Sequence, residues 1–156
     1  MSEVEKFKEK YSRLQKKYDL PGIDDIDRDF GLLFVIKDKG APERTLVAVR
    51  KLMADVYNNW AAYVAAFITP NPASIVNYKE QESFDEDDVK KAGIILSKLM
   101  FWIRTSNQIS LLWKDERQDA EFIKSSYKEF LGLKKDIDFF LTKNIEKWKE
   151  LKTKAD

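Results

Sequence analysis

The chain of 156 residues contains no cysteine and no histidine. Without cysteine it has neither disulfides nor thiolate metal sites. Without histidine it lacks the commonest general base and the commonest transition-metal ligand. These absences exclude Ser–His and Cys–His catalysis and the Glu-x-x-His di-iron bundle. A phosphate-binding loop is also missing, so the sequence favours a non-enzymatic protein, although it leaves the question of activity open.

Glycine and proline are scarce, at five and four residues. Because glycine and proline form most tight turns, so small a number of them favours long helices over a many-stranded sheet. Hydrophobic content of 44% and ten phenylalanines argue against disorder. We expect residues 1–156 to form one all-α domain, a helical bundle.

Long hydrophobic runs are absent too. The most apolar stretch, Trp60 to Ile68, has nine residues, whereas a membrane-spanning helix needs roughly 20. The first residues lack the apolar core of a signal peptide. We expect a soluble, cytoplasmic protein that does not act at a membrane.

Residues 85–113 are predicted to form the central helix. Asp85 is a candidate N-cap, and Phe84 and Val89 have the spacing of a hydrophobic staple. Two apolar stripes follow at helical spacing, and a helix that is apolar on more than one side is buried among others. The stripes are Val89, Ala92, Leu96, Leu99 and Ile103, and Ile95, Trp102 and Ile109.

Two further long helices are predicted, over about 42–68 and 133–153, with shorter helices between the three. Pro42 marks the start of the first, and Gly132 separates the last from the helix before it. We expect a break near residues 114–116, where Asp115 and Gln118 form a capping pair. The segment Leu32 to Ile36 is compatible with either an extended strand or a helical turn.

The first 18 residues are predicted to form an amphipathic helix with a narrow apolar seam. The seam consists of Val4, Phe7, Tyr11, Leu14 and Tyr18. It packs either peripherally on the domain or on the helix of a partner.

Several short motifs are spread over residues 19–151: Leu20-Pro21 with Phe30, Asn71-Pro72, Phe84-Asp85, Leu99-Met100 with Arg104, Asp115-Glu116, residues 119–124, Lys134 and Trp148. Together these motifs resemble a family of small, all-helical, uncharacterised archaeal proteins. The sequence departs from the pattern at Gly22 and Gly31. The resemblance implies an archaeal, cytoplasmic protein and brings no activity with it.

Four carboxylates are the candidate metal ligands. Asp85 and Asp88 are three residues apart, as are Glu116 and Asp119, so each pair shares a helix face and could contribute to a Mg²⁺ site. The arrangement resembles the paired acidic motifs of all-α nucleotide pyrophosphohydrolases. Both pairs also lie at predicted helix starts, where acidic residues serve as caps, and the structural interpretation is favoured.

Arg104 is unusual because it follows Ile103 within the most apolar helix. Either it points outward, covering apolar surface with its stem, or it joins an internal polar network or ligand pocket. The other candidates for that network are Asn58, Asn59, Asn107 and Gln108.

Charge is separated along the chain although the net charge is only +1. Lys143, Lys147 and Lys149 lie in a basic C-terminal segment, and together with the basic N-terminal helix they are a candidate face for nucleic acid. A solvated helix face usually shows the same pattern.

We therefore expect a non-enzymatic helical interaction or scaffold module that binds a protein partner or self-associates, without a cofactor. Two alternatives stay open. One is a Mg-dependent enzyme like the all-α pyrophosphohydrolases, and the other is weak nucleic-acid binding through the terminal helices.

Overall fold

The computed structural model describes residues 1–155, which form seven helices and no strand. The all-α prediction is confirmed. No helix in this range has the length and apolar character needed to cross a membrane. The helices are α1 (Glu3–Tyr18), α2 (Ile23–Phe30), α3 (Leu32–Lys39), α4 (Thr45–Ile68), α5 (Ile75–Gln81), α6 (Glu86–Leu111) and α7 (Glu116–Ala155).

The chain divides into two compact units. The first unit comprises Met1–Tyr57 and Trp102–Lys128, and the second comprises Asn58–Phe101 and Glu129–Asp156. Each unit therefore joins segments that are distant in sequence. The division does not show that either unit folds alone, and the single domain expected for residues 1–156 stays a prediction.

Local sequence signals build the three N-terminal helices of the first unit. Ser2 and Glu5 form the capping box that begins α1. Gly31 ends α2 and begins α3 with φ of 66°, a left-handed conformation that glycine adopts without a steric cost. The Asp27 carboxylate accepts a hydrogen bond from the Leu33 N–H at 2.7 Å. The ambiguous segment Leu32 to Ile36 is therefore helical.

The core of the first unit includes the apolar seam of α1. Phe7 and Tyr11 have no exposed surface, and the Tyr11 hydroxyl donates to the Pro21 carbonyl at 2.7 Å. The apolar seam of α1 therefore packs within the first unit. Other buried members are Leu20, Ile26, Phe30, Leu32, Ile36, Leu46, Val49, Met53, Tyr57, Ile103, Ile109, Phe122, Ile123 and Tyr127.

The second unit is built around stacked aromatic rings. Phe67 and Phe140 stack with ring centroids 5.0 Å apart, and Phe84 lies within 5.2 Å of Phe140. Such pairs add stabilisation beyond the apolar area that they bury. The core also contains Ala61, Val64, Ala92, Ile95, Leu99, Phe130, Leu133 and Ile137.

Two predicted helix boundaries were wrong. α4 begins at Thr45, three residues after Pro42, and α7 is a continuous helix of 40 residues that passes through Gly132. Gly132 has no positive φ, and a glycine inside a helix costs only about 1 kcal/mol. Burial of Phe130 and Leu133 on either side offsets that cost.

The predicted helix caps of α6 and α7 are confirmed. The Asp85 carboxylate accepts from the Asp88 N–H at 2.8 Å. The Asp115 carboxylate accepts from the Arg117 N–H at 2.9 Å, and the Gln118 side chain accepts from the Lys114 N–H at 2.8 Å. These contacts explain the break between α6 and α7.

Candidate binding cleft in the first unit

Arg50 is a buried cation on the inward face of α4. Its side chain is only 1% exposed, and it lies one turn from the buried Leu46 and Met53. A buried guanidinium is costly unless hydrogen bonds and an opposite charge compensate it. The surroundings of Arg50 must therefore supply acceptors.

Acceptors from α6 and α7 surround the Arg50 guanidinium. Its Nε donates to Asp119 Oδ1 at 2.6 Å. Its Nη1 lies 2.9 Å from the Ser106 carbonyl, 2.7 Å from Ser106 Oγ and 2.9 Å from Ser110 Oγ. The contacts of this one side chain thus join α4, the end of α6 and the start of α7 within the first unit.

Asp119, which Arg50 holds in place, also binds an exposed aromatic side chain. Its carboxylate is fully buried, and Oδ2 accepts from the Trp113 Nε1–H at 2.7 Å. Trp113 belongs to the connection between α6 and α7, and the residue is 37% exposed. The Arg44 guanidinium lies 4.7 Å from the centroid of the ring, within the range of a cation–π contact.

Beside this ring lies a cleft of about 470 Å³. Its walls come from α1, the residues around the start of α4, and the region between α6 and α7. The lining residues are Lys10, Arg13, Leu14, Glu43, Arg44, Thr45, Leu46, Val47, Trp113, Glu116 and Asp119. All of them belong to the first unit.

The start of α4 forms one wall of the cleft and is uncapped. The first helical hydrogen bond runs from the Ala48 N–H to the Arg44 carbonyl, so the N–H groups of Thr45, Leu46 and Val47 have no helical acceptor. Within residues 1–155 no side chain or other carbonyl accepts from them either. Thr45 is only 5% exposed, and its hydroxyl makes no hydrogen bond in the described part of the chain.

The charged side chains that line the cleft leave a small excess of positive charge. Lys10, Arg13 and Arg44 face the carboxylates of Glu43 and Glu116, and the third carboxylate, Asp119, is paired with Arg50. Glu116 also accepts a hydrogen bond from the Tyr18 hydroxyl at 3.0 Å. On the basic side, neither Lys10 nor Arg44 has an ion-pair partner among residues 1–155. Arg13 has only an exposed pair with Glu9, at 3.9 Å, which is worth little in water.

The four candidate metal ligands serve as structural groups. Asp85 and Asp88 are in the second unit and cap α6, whereas Glu116 and Asp119 are in the first unit. In residues 1–155 no group of three or more acidic residues could hold a metal ion. The alternative of a Mg-dependent enzyme required Asp88, Glu116 and Asp119 to share a metal ion. The structure gives that alternative no support.

Asp88 instead forms an ion pair. The Lys143 ammonium lies 2.8 Å from Asp88 Oδ2. Burial raises the pKa of this carboxyl, but the hydrogen bonds from Lys143 and from the Asp85 N–H outweigh burial, so the net pKa lies below its usual value of 3.8. The carboxylate is therefore held in its charged form.

The five residues considered for an internal polar network are all exposed: Asn58, Asn59, Arg104, Asn107 and Gln108. They therefore do not form a buried network, and Arg104 points outward. Gln108 lines an open groove of about 550 Å³ together with Trp102 and Phe122.

Two of the three lysines expected on a basic face are already paired. Lys143 binds Asp88, and Lys147 lies 3.2 Å from a Glu82 oxygen. Lys149 is exposed. Neutralised lysines contribute little to phosphate binding, so this face is a weak candidate for nucleic acid.

Neither Arg50 nor the cleft beside it was among the sites predicted from the sequence. A signal was present, because Arg50 lies four residues after Leu46 and three before Met53, on the apolar stripe of α4. Arg104 drew attention for its apolar neighbours in sequence, yet it lies off the stripes of α6. Lys10, Arg13 and Arg44 carry no such signal, since only the fold brings them together.

No family model, no curated protein and no solved structure matches this chain. The resemblance to archaeal helical proteins therefore stays a prediction, and the function has to be argued from the cleft itself.

Proposed function

We propose that the protein is a non-enzymatic helical binding module that holds an anionic ligand in the cleft of the first unit. The proposal keeps the expected non-enzymatic helical module but replaces the expected protein partner or second copy with an anionic ligand, and it names the surface that binds this ligand. Phosphate and carboxylate are the anionic groups whose geometry fits amide, hydroxyl and guanidinium donors.

The observation that carries the proposal is the uncapped start of α4 on the cleft wall. Three backbone N–H groups and the Thr45 hydroxyl lack acceptors among residues 1–155, and all of them belong to residues that line the cleft. The first N–H groups of a helix have no intrahelical partner and are satisfied by side chains, water or ligands. An anion at a helix N-terminus supplies the missing acceptors and interacts favourably with the helix dipole.

Basic side chains from two segments support the same conclusion. Lys10 and Arg13 reach the cleft from α1, and Arg44 precedes α4. The opposite wall is fixed by the hydrogen bonds from Arg50 to Asp119 and from Trp113 to Asp119. A site whose walls are held before binding loses less conformational entropy when the ligand arrives.

The test is thermal unfolding of the full chain against inorganic pyrophosphate, at low ionic strength and with EDTA present. We expect the melting temperature to rise with pyrophosphate, because a ligand at 100 times its Kd stabilises a fold by about 2.7 kcal/mol. EDTA separates this direct binding from the Mg-dependent alternative, which needs a divalent ion.

Replacing Lys10 and Arg13 with glutamine should weaken pyrophosphate binding at least tenfold. The matched control replaces Lys8 and Lys16, two exposed cations of the same helix that do not line the cleft. The proposal fails if pyrophosphate does not stabilise the protein, or if both double variants lose affinity equally.

A further inference from the structure

We infer that the ligand also carries a planar aromatic ring, which makes a mononucleotide the chemical class that fits the cleft. The inference rests on the proposed function, since it assigns the anionic group to the start of α4. What it adds is a second contact, between the ring of the ligand and Trp113.

Trp113 is held in place yet left partly open. The hydrogen bond from its Nε1 to Asp119 Oδ2, at 2.7 Å, fixes the ring against a carboxylate that Arg50 itself anchors. Trp113 is 37% exposed and lines the cleft, so a ligand bound there can reach it. Stacking of a base on an aromatic side chain is favourable and tolerant of base identity.

Arg44 covers one face of the Trp113 ring, with its guanidinium 4.7 Å from the ring centroid. The other face of the planar guanidinium can itself stack on an aromatic ligand, so a base can stack either on Arg44 or on the opposite face of the Trp113 ring. Glu43 lines the same cleft and is exposed, so its carboxylate is an available acceptor for the hydroxyl groups of a ribose.

The size of the cleft indicates a small molecule. A volume of about 470 Å³ lies within the range of roughly 300–1,000 Å³ that is typical of small-molecule sites. A free nucleotide is therefore favoured over a nucleic-acid strand, which would need an extended basic groove.

Isothermal titration of the full chain with AMP, ribose 5-phosphate and adenosine tests this inference. We expect AMP to bind about tenfold more tightly than ribose 5-phosphate, the increment of a typical base–aromatic stack. Adenosine, which lacks the phosphate, should bind at least tenfold more weakly than AMP.

The variant Trp113→Leu should bind AMP and ribose 5-phosphate with equal affinity. Trp148→Leu is the matched control, because Trp148 is 38% exposed and its Nε1 also donates to a carboxylate, that of Glu80 at 3.1 Å. That variant should keep the wild-type preference for AMP.

Three results would overturn the inference. If the wild type bound AMP and ribose 5-phosphate equally, the proposed contact between the ligand ring and Trp113 would be rejected, while the proposed anion site would stand. Binding of none of the three compounds would reject the proposed function as well. A 5′-phosphorylated oligonucleotide that binds much more tightly than AMP would reassign the site to single-stranded nucleic acid.

Discussion

Each unit contains a short ion pair between a helix-start carboxylate and a cation, and the two pairs differ chiefly in burial. Arg50 and Asp119 in the first unit are 2.6 Å apart, with side chains 1% and 0% exposed. Lys143 and Asp88 in the second unit are 2.8 Å apart, with side chains 31% and 11% exposed. Because the distances are nearly equal, the separation of the charges cannot explain a difference in what the loss of each cation costs.

This difference shows that the distance within an ion pair does not determine how much stability is lost when the pair is broken. Lys143 is partly exposed to solvent and also lies 5.0 Å from the centroid of the Phe139 ring. If Lys143 is lost, solvent can still reach the Asp88 carboxylate, which is itself partly exposed. Loss of Arg50 leaves the fully buried carboxyl group of Asp119 without its cation. Buried charges without partners are among the most costly defects in a folded protein.

The largest effect is expected for Arg50→Met. The substitution keeps an unbranched apolar stem but leaves the Asp119 carboxylate uncompensated, so we expect a loss of about 3–5 kcal/mol in the free energy of unfolding. Urea unfolding at pH 7 measures it. The control is Arg104→Met on the exposed surface of α6, which should cost less than 1 kcal/mol; equal losses would contradict the account.

Replacing both partners separates charge burial from packing. In Arg50→Met with Asp119→Leu no charge remains buried, so stability should return to within about 2 kcal/mol of the wild type. AMP affinity of the double variant should be lower than that of the wild type, because Trp113 loses the acceptor of its Nε1–H. A double variant less stable than Arg50→Met would show that the pair is not the source of the penalty.

A smaller effect is expected for Tyr127→Phe. The Tyr127 hydroxyl donates to Asp29 Oδ2 at 2.7 Å, and a hydrogen bond to a charged group contributes about 1.5–3 kcal/mol. Burial and this hydrogen bond raise the pKa of Tyr127 from 10.0 to about 12. The stabilisation is therefore complete below pH 10 and is lost as the pH rises toward 12.

The urea midpoints of the wild type and of Tyr127→Phe, measured between pH 8 and pH 11, test whether the stability contributed by the Tyr127 hydroxyl falls as the pH rises. The gap between the two proteins should narrow as the pH rises, because only the wild type loses this contribution. A gap that widened with pH would show that the hydroxyl is not held in its neutral form.

The smallest effect is expected for Lys143→Met. Because the pair with Asp88 is partly solvated, the variant should lose only about 1 kcal/mol at neutral pH. The lowered pKa of Asp88 implies stabilisation that is present above pH 3.8 and lost as the pH falls through the folded-state value. Stability measured from pH 7 to pH 2.5 should show the two proteins converging in acid, and a constant difference would contradict the ion-pair assignment.

The helical class and most helix ends could be predicted because they depend on signals close in sequence. The caps at Ser2, Asp85 and Asp115 use partners within three residues. The proline-rich end of α4 and the apolar stripes of α6 are equally local. Gly132 misled the prediction because a glycine ends a helix only when the chain adopts positive φ there, which depends on packing.

The cleft could not be predicted because its parts meet only in the fold. Lys10 and Trp113 are separated by about a hundred residues yet line the same space. The uncapped start of α4 was hidden as well, since Pro42 and Glu43 read as an ordinary helix start. Only Arg50 gave a local signal, through its place on an apolar stripe.

The most direct test of the account is a ¹H–¹⁵N correlation spectrum of the full chain titrated with pyrophosphate. The chain has four tryptophans, and the indole N–H signal of Trp113 should shift, together with the backbone amide signals of Thr45, Leu46 and Val47. The indole signals of the other tryptophans should stay in place. Shifts confined to other residues, or no shifts at all, would contradict the assignment of the anion site to the start of α4.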